Sequence, residues 1–585
     1  MYLESLKIRR FRSFHDSTVY FNRELTVLLG ENNGGKSNII DAIRLVTQPL
    51  NGRRDRYAED EDIHRGSTEQ NFEVEAHYGE LSETSKGLLI SAISDPTKAQ
   101  AVLGIRYEQT SPSFPRGKFT SWAGNFGTGD PEFGSTDWIR HVYLPPLRDA
   151  KKALDSGDGA RVMALFRHFL SRDKEKLKEI VDSFKRPDKS KAVFQEMQTQ
   201  IRGALSDLTK GVRLQDADLD FANEALLDIA RSLRFRLADS GITPETLDFS
   251  GLGYANLLYI ATVAVELAKA KESDLTLFLV EEPEAHLHPQ LQMLILDYLC
   301  EQAANSQKAS IEQGHPEGRI QVIVTTHSPN LTAWASPDHI VVLRTMREEL
   351  NGVASQRSIA VPIARLQVPP NQLQKIRRYL DVTRSSLLFG SRAILVEGIA
   401  EAILLPSIAK FIVLSKDKDG LKRFKSTLTT AIEGVDFEPY IRILLQPFEG
   451  CKIADRVVVI TDGDPSVQGN RKARLEEIAR TLGASNALVV KANTSTLEQE
   501  LFAAGNESLL KTCYLNLHKN SETKWITEIT NLPDADRPTA FLKLLSDSRT
   551  RKGDLAQEVS SAIEEGKNFS VPKYLEEAIE EAARP

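Results

Sequence analysis

An octapeptide near the start of the chain has the residue types needed to hold a phosphate. Its sequence, GENNGGKS, satisfies the pattern G-x-x-x-x-G-K-[ST] through Gly30, Gly35, Lys36 and Ser37. Glycines let backbone N–H groups face a phosphate, the lysine adds charge at the β- and γ-phosphates, and the serine hydroxyl reaches Mg²⁺. An apolar run precedes the octapeptide and a stretch with helical spacing follows it. The pattern predicts a nucleotide-binding loop, in which we also include Asn33.

Two acids at the end of a second apolar run could complete a nucleotide site. The segment LTLFLVEE is typical of a buried strand and ends in Glu281 and Glu282. Glu281 stands where an acid would support Mg²⁺, and Glu282 is placed to polarise the attacking water. A charged strand end alone is common, but beside a phosphate-binding loop it indicates ATP hydrolysis.

Two further segments fit one class of ATPase. SGLGYANLL places Ser250, Gly251 and Gly253 at a helix start, where backbone amides could face a γ-phosphate. TTHSP ends the next strand pattern and places His327 near that phosphate. A signature, an acid pair and a histidine in this order resemble the ABC/SMC-type ATPases, in which the signature of one protomer closes the site of the other. The resemblance implies that hydrolysis requires a dimer.

Two details of this site stay open. The segment EEPEAHLHP contains an H-x-H spacing, His286 and His288, which is a weak signal for zinc. The glutamine of the ABC-type Q-loop is not identified by the pattern, and Gln70 is a candidate.

A second group of acids stands at the ends of two apolar runs nearer the C-terminus. AILVEGIAEAILLP supplies Glu397 after a strand pattern and Glu401 four residues later in a helical stretch, so both could face one side. RVVVITDGD supplies Asp462 and Asp464, which point the same way in an extended chain. Such carboxylates could hold divalent cations that activate water for phosphodiester hydrolysis. Acids that merely keep strand ends soluble would explain each motif alone, but explain the two in this order less well.

This pair of motifs resembles a Toprim domain, in which a strand followed by Glu-Gly precedes a strand followed by Asp-x-Asp. Topoisomerases and primases carry a third acid two residues further on, where this chain has Ser466. The departure favours the nuclease branch. TLEQELF then supplies Glu498 and Glu500, and RKGDLAQEV supplies Lys552, which could stabilise the charge on a pentavalent phosphate.

The hydropathy pattern indicates which elements position these motifs. Strand patterns alternate with helical stretches, as in a parallel sheet. We predict an α/β fold, with an N-terminal ABC/SMC-type P-loop ATPase that contains a helical insertion, followed by a C-terminal Toprim α/β domain. The predicted segments are 1–150 and 241–365 for the two ATPase parts, 151–240 for the insertion, 366–390 for a linker and 391–585 for Toprim. The insertion is either a solvated helical subdomain or a dimerisation arm.

Composition limits the class of protein. The 585 residues carry a net charge of −7, with 41% hydrophobic and 26% charged residues, as in ordinary globular proteins. Three cysteines exclude a disulfide framework and favour a reducing compartment. The N-terminus lacks an apolar core of signal-peptide length, and no apolar run is long enough to span a membrane. We expect a cytoplasmic protein that has no membrane contact and binds nucleic acid only through local basic patches.

Nearly the whole chain resembles the OLD-family nucleases and is similar to the nuclease subunit of the Gabija anti-phage system. The segments that carry the resemblance are FRSF, YLPPLRDA, SGLGYANLLYIA, EEPEAHLHP, TTHSP, RRYLDVTRSSLLFGSRAILVEG and VPKYLEEAI. The resemblance implies that Lys552 is the catalytic lysine of the Toprim site. It implies that the metal ligands there are Glu397, Glu401, Asp462, Asp464, Glu498 and Glu500.

The function predicted is an ATP-binding and ATP-hydrolysing, metal-dependent endonuclease that nicks or cleaves duplex DNA in anti-phage defence or DNA processing. The expected cofactors are ATP and Mg²⁺, with Mn²⁺ as an alternative at the Toprim site. The expected partners are double-stranded DNA and further copies of the chain, in a homodimer or a higher homo-oligomer. Whether a helicase-like protein also takes part is left open. We expect ATP to suppress cleavage, because a nuclease that is idle in an ATP-rich cell is safe.

Two other functions compete with this prediction. An SMC- or RecF-like ATPase clamp with a silent Toprim domain should have lost its acids, whereas this chain keeps Glu397, Asp462 and Asp464. A topoisomerase needs a nucleophilic tyrosine and strand-passage domains, which the pattern does not indicate. Basic clusters could follow a phosphate backbone, although each is more often a solvated face. These clusters are KIRRFR (7–12), KIRR (375–378), RKAR (471–474) and RTRK (549–552).

Overall fold

The computed structural model describes part of the chain. The described residues are 1–52, 54, 56–110, 117–125, 129–132, 134–146, 154, 236–237, 245–246, 251–309, 315–350, 352–463 and 471–585. Almost all of the predicted insertion at 151–240 therefore lies outside the described residues. Ser250, Asp464 and Ser466 lie outside them as well.

The strands of the described residues are numbered in chain order. They are β1 Tyr2–Phe11, β2 Phe14–Tyr20, β3 Leu25–Gly30, β4 Gln48–Pro49, β5 Asn71–Gly79, β6 Ile93–Asp95, β7 Gln100–Glu108, β8 Lys118–Ala123, β9 Ile139–Leu144, β10 Arg236–Leu237, β11 Glu245–Thr246, β12 Leu275–Glu281, β13 Arg319–Thr326, β14 Ile340–Leu350, β15 Val353–Pro362, β16 Arg392–Val396, β17 Leu428–Ala431, β18 Arg456–Thr461 and β19 Leu488–Ala492.

The α-helices of the described residues are numbered in the same way. They are α1 Lys36–Val46, α2 Glu83–Leu88, α3 Leu252–Glu266, α4 Pro289–Lys308, α5 Pro329–Trp334, α6 Pro370–Tyr379, α7 Val382–Ser385, α8 Ile399–Ile408, α9 Lys418–Ser426, α10 Glu438–Leu445, α11 Arg471–Thr481, α12 Leu497–Ala503, α13 Glu507–Leu517, α14 Glu522–Trp525, α15 Arg537–Asp547, α16 Lys552–Glu564 and α17 Lys573–Ala583.

The first large sheet has the strand order β15-β14-β3-β13-β12-β9-β4. All its pairs are parallel except β14 with β15. Strands β3, β12 and β13 are buried along their whole length, as continuous apolar runs predict for a sheet covered on both faces. Because β3, β13 and β12 are parallel neighbours, the segments that follow them meet at one edge of the sheet.

A second sheet, antiparallel throughout, covers one face of the first. Its order is β2-β1-β5-β7-β6, and β8 also pairs with β7. The alternating pattern of FEVEAHY correctly predicted β5. Apolar side chains of this sheet share a core with α1 and with β3, through residues such as Phe72, Ile39 and Leu28.

A third sheet, formed by the C-terminal part of the chain, has the order β17-β16-β18-β19 and is parallel throughout. Alternate residues of its central strands pack into two different apolar cores, one on each face of the sheet. Leu395 and Val457 share a core with the first sheet, whereas Val396 and Val458 pack against the C-terminal helices. This alternation follows from the two-residue period of a strand, and it joins the first and third sheets through one continuous apolar core.

The segment predicted as a linker, 366–390, contains helices α6 and α7. Pro370 is the first residue of α6, where a missing backbone N–H costs nothing. Helical spacing then brings Ile376 into the core shared by the two parallel sheets, and Leu387 and Leu388 follow it there. The segment is therefore part of the packing between the sheets.

The helices that cover the outer face of the third sheet pack around Trp525. Its indole is fully buried, with ring centroids of Tyr514 and Phe541 at 5.5 and 5.7 Å. We expect Trp525→Ala to lower the free energy of unfolding by about 3–5 kcal/mol, because the cavity adds to the lost apolar burial. Urea denaturation followed by circular dichroism measures this loss. Trp334→Ala is the matched control, because Trp334 is 58% exposed, and a comparable loss in both variants would contradict the packing.

Candidate functional site

The phosphate-binding loop joins β3 to α1 at the edge where the parallel strands end. Gly30 has a φ of +147°, and a Cβ atom there would lie 2.4 Å from the carbonyl oxygen of Leu343. Gly35 takes the left-handed conformation immediately before α1, and so does Asn33 within the loop. These conformations explain why the glycines of the octapeptide are needed, since side chains rarely adopt them.

The side chain of Lys36 is held by the loop itself. Its Nζ donates hydrogen bonds of 2.9 Å to the carbonyl oxygens of Gly30 and Glu31. Burial lowers the pKa of Lys36 to about 8, although the surrounding acids, Glu282 first, oppose this shift. A phosphate would therefore compete with two backbone carbonyls for this amine.

Ser37 and Glu281 are in direct contact, as the sequence predicted for a shared role. The Ser37 hydroxyl donates to Glu281 Oε2 at 2.5 Å, and the Tyr143 hydroxyl donates to Glu281 Oε1 at 2.8 Å. Burial raises the pKa of Tyr143, and the charge on Glu281 adds to the rise. Tyr143 lies in the YLPPLRDA segment, but no pattern in the sequence marked it as a partner of Glu281. The two oxygens of Ser37 and Glu281 can serve a nucleotide-bound Mg²⁺.

Glu282 and His327 face each other across the pocket. His327 Nε2 lies 3.5 Å from Glu282 Oε1. Burial lowers the pKa of His327, the charge of Lys36 lowers it further, and Glu282 opposes both. The backbone of His327 is fixed by Glu284, whose Oε1 accepts from its N–H at 2.8 Å and from Thr326 Oγ1 at 2.7 Å. A largely neutral imidazole next to a carboxylate suits contact with water or a phosphate oxygen.

Lys36, Ser37, Glu282 and His327 line a pocket of about 900 Å³. Its other walls come from residues that the motifs did not indicate, including Arg12, His64, Arg65, Arg347 and Ser355. They lie on loops and strands that are far apart in the sequence, so spacing could not reveal them. Arg12 is paired with Asp41 and Asp62.

The signature helix α3 lies elsewhere. Neither Gly251 nor Gly253 lines the pocket, and the helix start is exposed, with Tyr254 55% accessible. A Cβ atom on Gly253 would lie 2.9 Å from the carbonyl oxygen of His286, and Asn256 Nδ2 donates to Ala285 O at 2.6 Å. The signature therefore packs on the segment after β12 and presents its N-terminus to the outside.

The structure shows where the two histidines of the H-x-H spacing and the candidate Q-loop glutamine lie. His288 caps α4 by accepting a hydrogen bond from the backbone of Gln290, and His286 is exposed. Gln70 is exposed just before β5 and does not line the pocket. The candidate Q-loop residue is therefore not brought to the nucleotide site in this structure.

The second group of acids collects at the carboxyl edge of the third sheet. Glu397 follows β16, Asp462 follows β18, and both strands are parallel neighbours. Glu401 lies in the first turn of α8 and Glu498 in the first turn of α12, and both are buried. We call Glu397, Glu401, Asp462 and Glu498 the carboxylate cluster.

Glu397 is bound on one oxygen by several donors. Its Oε1 accepts from the backbone N–H of Asp462 at 2.8 Å, from the Thr461 hydroxyl and from the guanidinium of Arg471. Arg471 also donates to Thr461 Oγ1 at 2.6 Å and to the carbonyl oxygen of Asp462 at 3.1 Å. The RKAR segment, for which the sequence left open a phosphate-backbone contact or a solvated face, thus supplies a cation to the cluster itself.

The cluster carries more negative charge than its surroundings neutralise. Burial raises the pKa of Glu401 to about 7, and Asp462, Glu498 and Glu397 add to the rise. Burial also raises the pKa of Asp462 to about 6, although Asn493 Nδ2 donates to its Oδ1 at 2.6 Å. Like-charged carboxylates that are crowded in a buried site attract protons or metal cations.

Lys552 lies at the rim of the cluster. Its Nζ donates to Glu498 Oε2 at 3.1 Å. Desolvation disfavours the charged amine, but the carboxylates, Glu498 first, outweigh it and raise the pKa of Lys552. The lysine is therefore charged and stands beside the acids, as the resemblance implied.

Glu500 does not point the same way as Glu498. TLEQELF forms helix α12, and residues two apart on a helix face directions about 200° apart. Glu500 Oε1 accepts instead from the backbone N–H of Thr494 at 2.8 Å. The two-residue spacing would bring both acids to one side only in a strand.

Two further residues of the site escaped the sequence reasoning. Asn493 immediately follows β19, and its role depends on a strand neighbour that only the sheet order reveals. Tyr574, in VPKYLEEAI, is buried beside the cluster. Burial raises the pKa of Tyr574 well above its usual value, and Asp462 and Glu401 contribute.

The chemistry of these side chains suits a divalent cation, since carboxylate oxygens are the ligands that Mg²⁺ and Mn²⁺ prefer. Within the described ranges, however, no three His, Cys, Asp or Glu side chains converge closely enough to hold an ion. Arg471 and Lys552 take up two of the four acids. Asp464, next in the Asp-x-Asp motif, lies outside the described residues.

Comparison with known proteins supports this division of the chain. Residues 25–333 match the family described as "AAA domain, putative AbiEii toxin, Type IV TA system". The match spans more than half of the chain and includes the phosphate-binding loop, the acid pair and His327. The chain belongs to this AAA domain family. It is therefore a P-loop ATPase followed by a C-terminal α/β domain, and an ATPase domain implies the use of ATP.

Three relatives are nucleases by name. The chain is 23% identical over 430 residues to the OLD nuclease of Thermus scotoductus, covering 68% of this chain and 72% of that protein. It is 25% identical over 444 residues to the Old nuclease of Escherichia phage P2, covering 70% of each. It is 23% identical to the endonuclease GajA of Bacillus cereus, covering 53% of this chain and 45% of GajA. The predicted resemblance to the OLD family is confirmed.

No helix in the described part of the chain is long and apolar enough to cross a membrane.

The raised pKa of Glu401 predicts how the stability of the metal-free chain depends on pH. The folded chain holds a proton on Glu401 up to about pH 7, whereas the unfolded chain releases it near pH 4.5. The free energy of unfolding should therefore fall as the pH rises through this window, by at most about 3 kcal/mol from this residue. Thermal melts in chelator at pH 5 and pH 8 measure the fall, and Glu401→Gln should reduce it. An equal loss of stability between pH 5 and pH 8 in the wild type and in Glu401→Gln would contradict the raised pKa of Glu401.

Proposed function

We propose that the chain is an ATP-regulated endonuclease that uses divalent metal ions to nick or cleave duplex DNA, in defence against phages or in DNA processing. The observation that carries the proposal is the carboxylate cluster with Lys552 at the edge of one parallel sheet, in a chain whose other parallel sheet carries an ATPase site. The names of the three relatives agree with this function.

In the proposed nuclease site, Glu397, Glu401, Asp462 and Glu498 hold Mg²⁺ or Mn²⁺, together with Asp464; Glu500, which accepts from Thr494, is not among these ligands. The bound metal would activate water and stabilise the leaving oxygen of the phosphodiester. Lys552 places its charged amine where a scissile phosphate would gain negative charge. The basic segment RTRK, which ends at Lys552, extends this positive charge toward the DNA backbone.

In the proposed ATPase site, Asn33, Gly35 and Lys36 bind the phosphates, and Ser37 with Glu281 holds Mg²⁺. Glu282 polarises the water and His327 contacts the γ-phosphate. The signature, Ser250, Gly251 and Gly253, then acts on the pocket of a second copy, so the chain works as a homodimer or a higher homo-oligomer. Segments 1–150 and 241–365 form the ATPase, 151–240 the dimerisation insert and 391–585 the Toprim domain.

The cytoplasm is the proposed location, since Cys300, Cys451 and Cys513 are free thiols in the structure. In this setting ATP would hold the nuclease idle until the nucleotide pool falls. A helicase-like partner protein could bring DNA to the site in members of the Gabija type.

Glu282→Gln tests the ATPase assignment. The variant should bind ATP as well as the wild type does, because Lys36 and the loop are intact, but it should hydrolyse ATP about 100-fold more slowly. Phosphate release measures turnover, and a fluorescent ATP analogue measures binding. Wild-type turnover in the variant would exclude Glu282 as the group that polarises water.

Cleavage of supercoiled plasmid tests the nuclease assignment. With Mg²⁺ or Mn²⁺ the purified chain should nick or linearise the plasmid, and Glu397→Ala should reduce the rate at least about 100-fold, because the cluster loses a ligand. Cleavage is measured with and without ATP, for the wild type and for Lys36→Ala. The comparison shows whether nucleotide binding raises or lowers the cleavage rate.

Glu522→Ala is the matched control for these lanes. Glu522 is an exposed acid of the same C-terminal region and pairs with Lys511. The control should cleave as the wild type does. Undiminished cleavage by Glu397→Ala would reject the mechanism, and absence of cleavage under every condition would favour an ATPase clamp with a silent Toprim domain.

A further inference from the structure

One arginine joins the nucleotide-binding loop to the third sheet. Arg344 lies on β14 of the first sheet, and its side chain is only 7% exposed. Its Nη1 donates to Glu31 Oε1 at 3.2 Å, and its Nη2 donates to Asp455 Oδ2 at 3.2 Å. The two acceptors flank strands of different sheets, since Glu31 follows β3 and Asp455 precedes β18, and they are more than 400 residues apart in the chain. A single guanidinium therefore bridges the two halves of the molecule.

The Glu31 end of this bridge is part of the nucleotide site. Glu31 is the second residue of the octapeptide, and its carbonyl oxygen accepts from Lys36 Nζ at 2.9 Å. A phosphate that draws the amine of Lys36 away must break this bond. The backbone of Glu31 is thus among the first groups whose bonding changes when a nucleotide binds, and its side chain holds Arg344.

The Asp455 end of the bridge leads to the carboxylate cluster. Asp455 immediately precedes β18, the strand that ends at Asp462. Its backbone N–H donates to the carbonyl oxygen of Ser391 at 2.7 Å, and Ser391 immediately precedes β16, the strand that ends at Glu397. The two strands are paired in parallel from Arg392 with Arg456 onward. A strand of this length spans about 20 Å and is stiff, so a displacement of its first residue also displaces its last residue.

We propose that Arg344 is a positioning residue that couples the nucleotide-binding loop to the carboxylate cluster through Asp455. The proposal rests on the proposed nuclease function and specifies how that activity is regulated. The coupling is a free energy shared by two sites, so nucleotide must alter the cluster and ligands of the cluster must alter nucleotide affinity by the same factor.

Arginine suits this role because its guanidinium has donors that point in separate directions from one rigid plane. The other polar contacts between the helical segment 366–390 and its neighbours lack this connection. Lys375 pairs with Asp436, and Ser385 Oγ donates to the carbonyl oxygen of Pro329 at 2.8 Å, but neither contact involves the nucleotide-binding loop. These contacts hold the sheets together, whereas the Arg344 bridge alone of the three reaches the loop.

The test replaces the exposed end of the bridge. Asp455 is 70% exposed, so Asp455→Asn should fold normally. Plasmid cleavage is measured with and without a non-hydrolysable ATP analogue, and the affinity for the analogue is measured with and without a short DNA duplex. Two ratios result: the cleavage rate with analogue over the rate without it, and the affinity for the analogue with DNA over the affinity without it. In the wild type we expect each ratio to differ from one by about fivefold or more. In Asp455→Asn both ratios should fall below about twofold, while nucleotide-free cleavage stays within about twofold of wild type.

Two further variants separate coupling from general docking. Asp436→Asn removes the Lys375 ion pair, in which the Asp436 side chain is 43% exposed, and should leave both ratios at their wild-type values. Asp455→Glu keeps the carboxylate and should restore most of the effect. Replacing Arg344 itself is less informative, because loss of a buried charged group can unfold the chain.

Several outcomes overturn the proposal. They are wild-type ratios in Asp455→Asn, equal loss in Asp436→Asn, or no nucleotide effect in the wild type by either measurement. Failure of the nuclease function itself gives a different pattern, namely no cleavage in any lane. The affinity of the analogue with and without DNA still decides the coupling in that case, since it requires no cleavage.

Discussion

Buried carboxylates at the ends of parallel strands must find a cation or a hydrogen-bond donor, and this requirement shapes both sites. At the nucleotide site, Glu281 accepts hydrogen bonds from the hydroxyls of Ser37 and Tyr143. At the carboxylate cluster four acids share one edge, and burial with mutual repulsion raises the pKa of Glu401 to about 7. The carboxylate cluster therefore has an excess of negative charge, which favours the binding of positive groups.

In the structure that excess is met by the chain's own cations. Arg471 lies on Glu397 and Lys552 on Glu498, so two of the four acids are paired. A divalent ion at this edge would have to share Glu397 with Arg471 or displace it. Arg471 opens helix α11 directly after residues 464–470, the segment that contains Asp464. In the proposed nuclease, release of Arg471 would free Glu397 as a ligand and leave a guanidinium available for a DNA phosphate.

The parts of this arrangement that could be predicted from sequence are those with a local pattern. The octapeptide, the acids after β12, β16 and β18, and the strands themselves have fixed spacing, so their positions at strand ends followed from periodicity. Features that depend on which strands become neighbours could not be predicted. Asn493 reaches Asp462 only because β19 lies beside β18, and Tyr143 reaches Glu281 because β9 lies beside β12. Glu500 was misjudged for a related reason, since equal spacing has opposite meanings in a strand and a helix.

The shared apolar core limits how the two sites can influence each other. Leu395 and Val457 of the third sheet lie in the same buried cluster as Val342 of the first, and Ile376 of α6 lies with them. Close packing of this kind resists large separation of the sheets, so communication must occur through small displacements along rigid strands. A buried guanidinium is suited to transmit such displacements, because its hydrogen bonds weaken steeply with angle while the packing around it stays in place. The proposed regulation of one site by the other would then require no opening of the molecule, only a change in which acid Arg344 holds more closely.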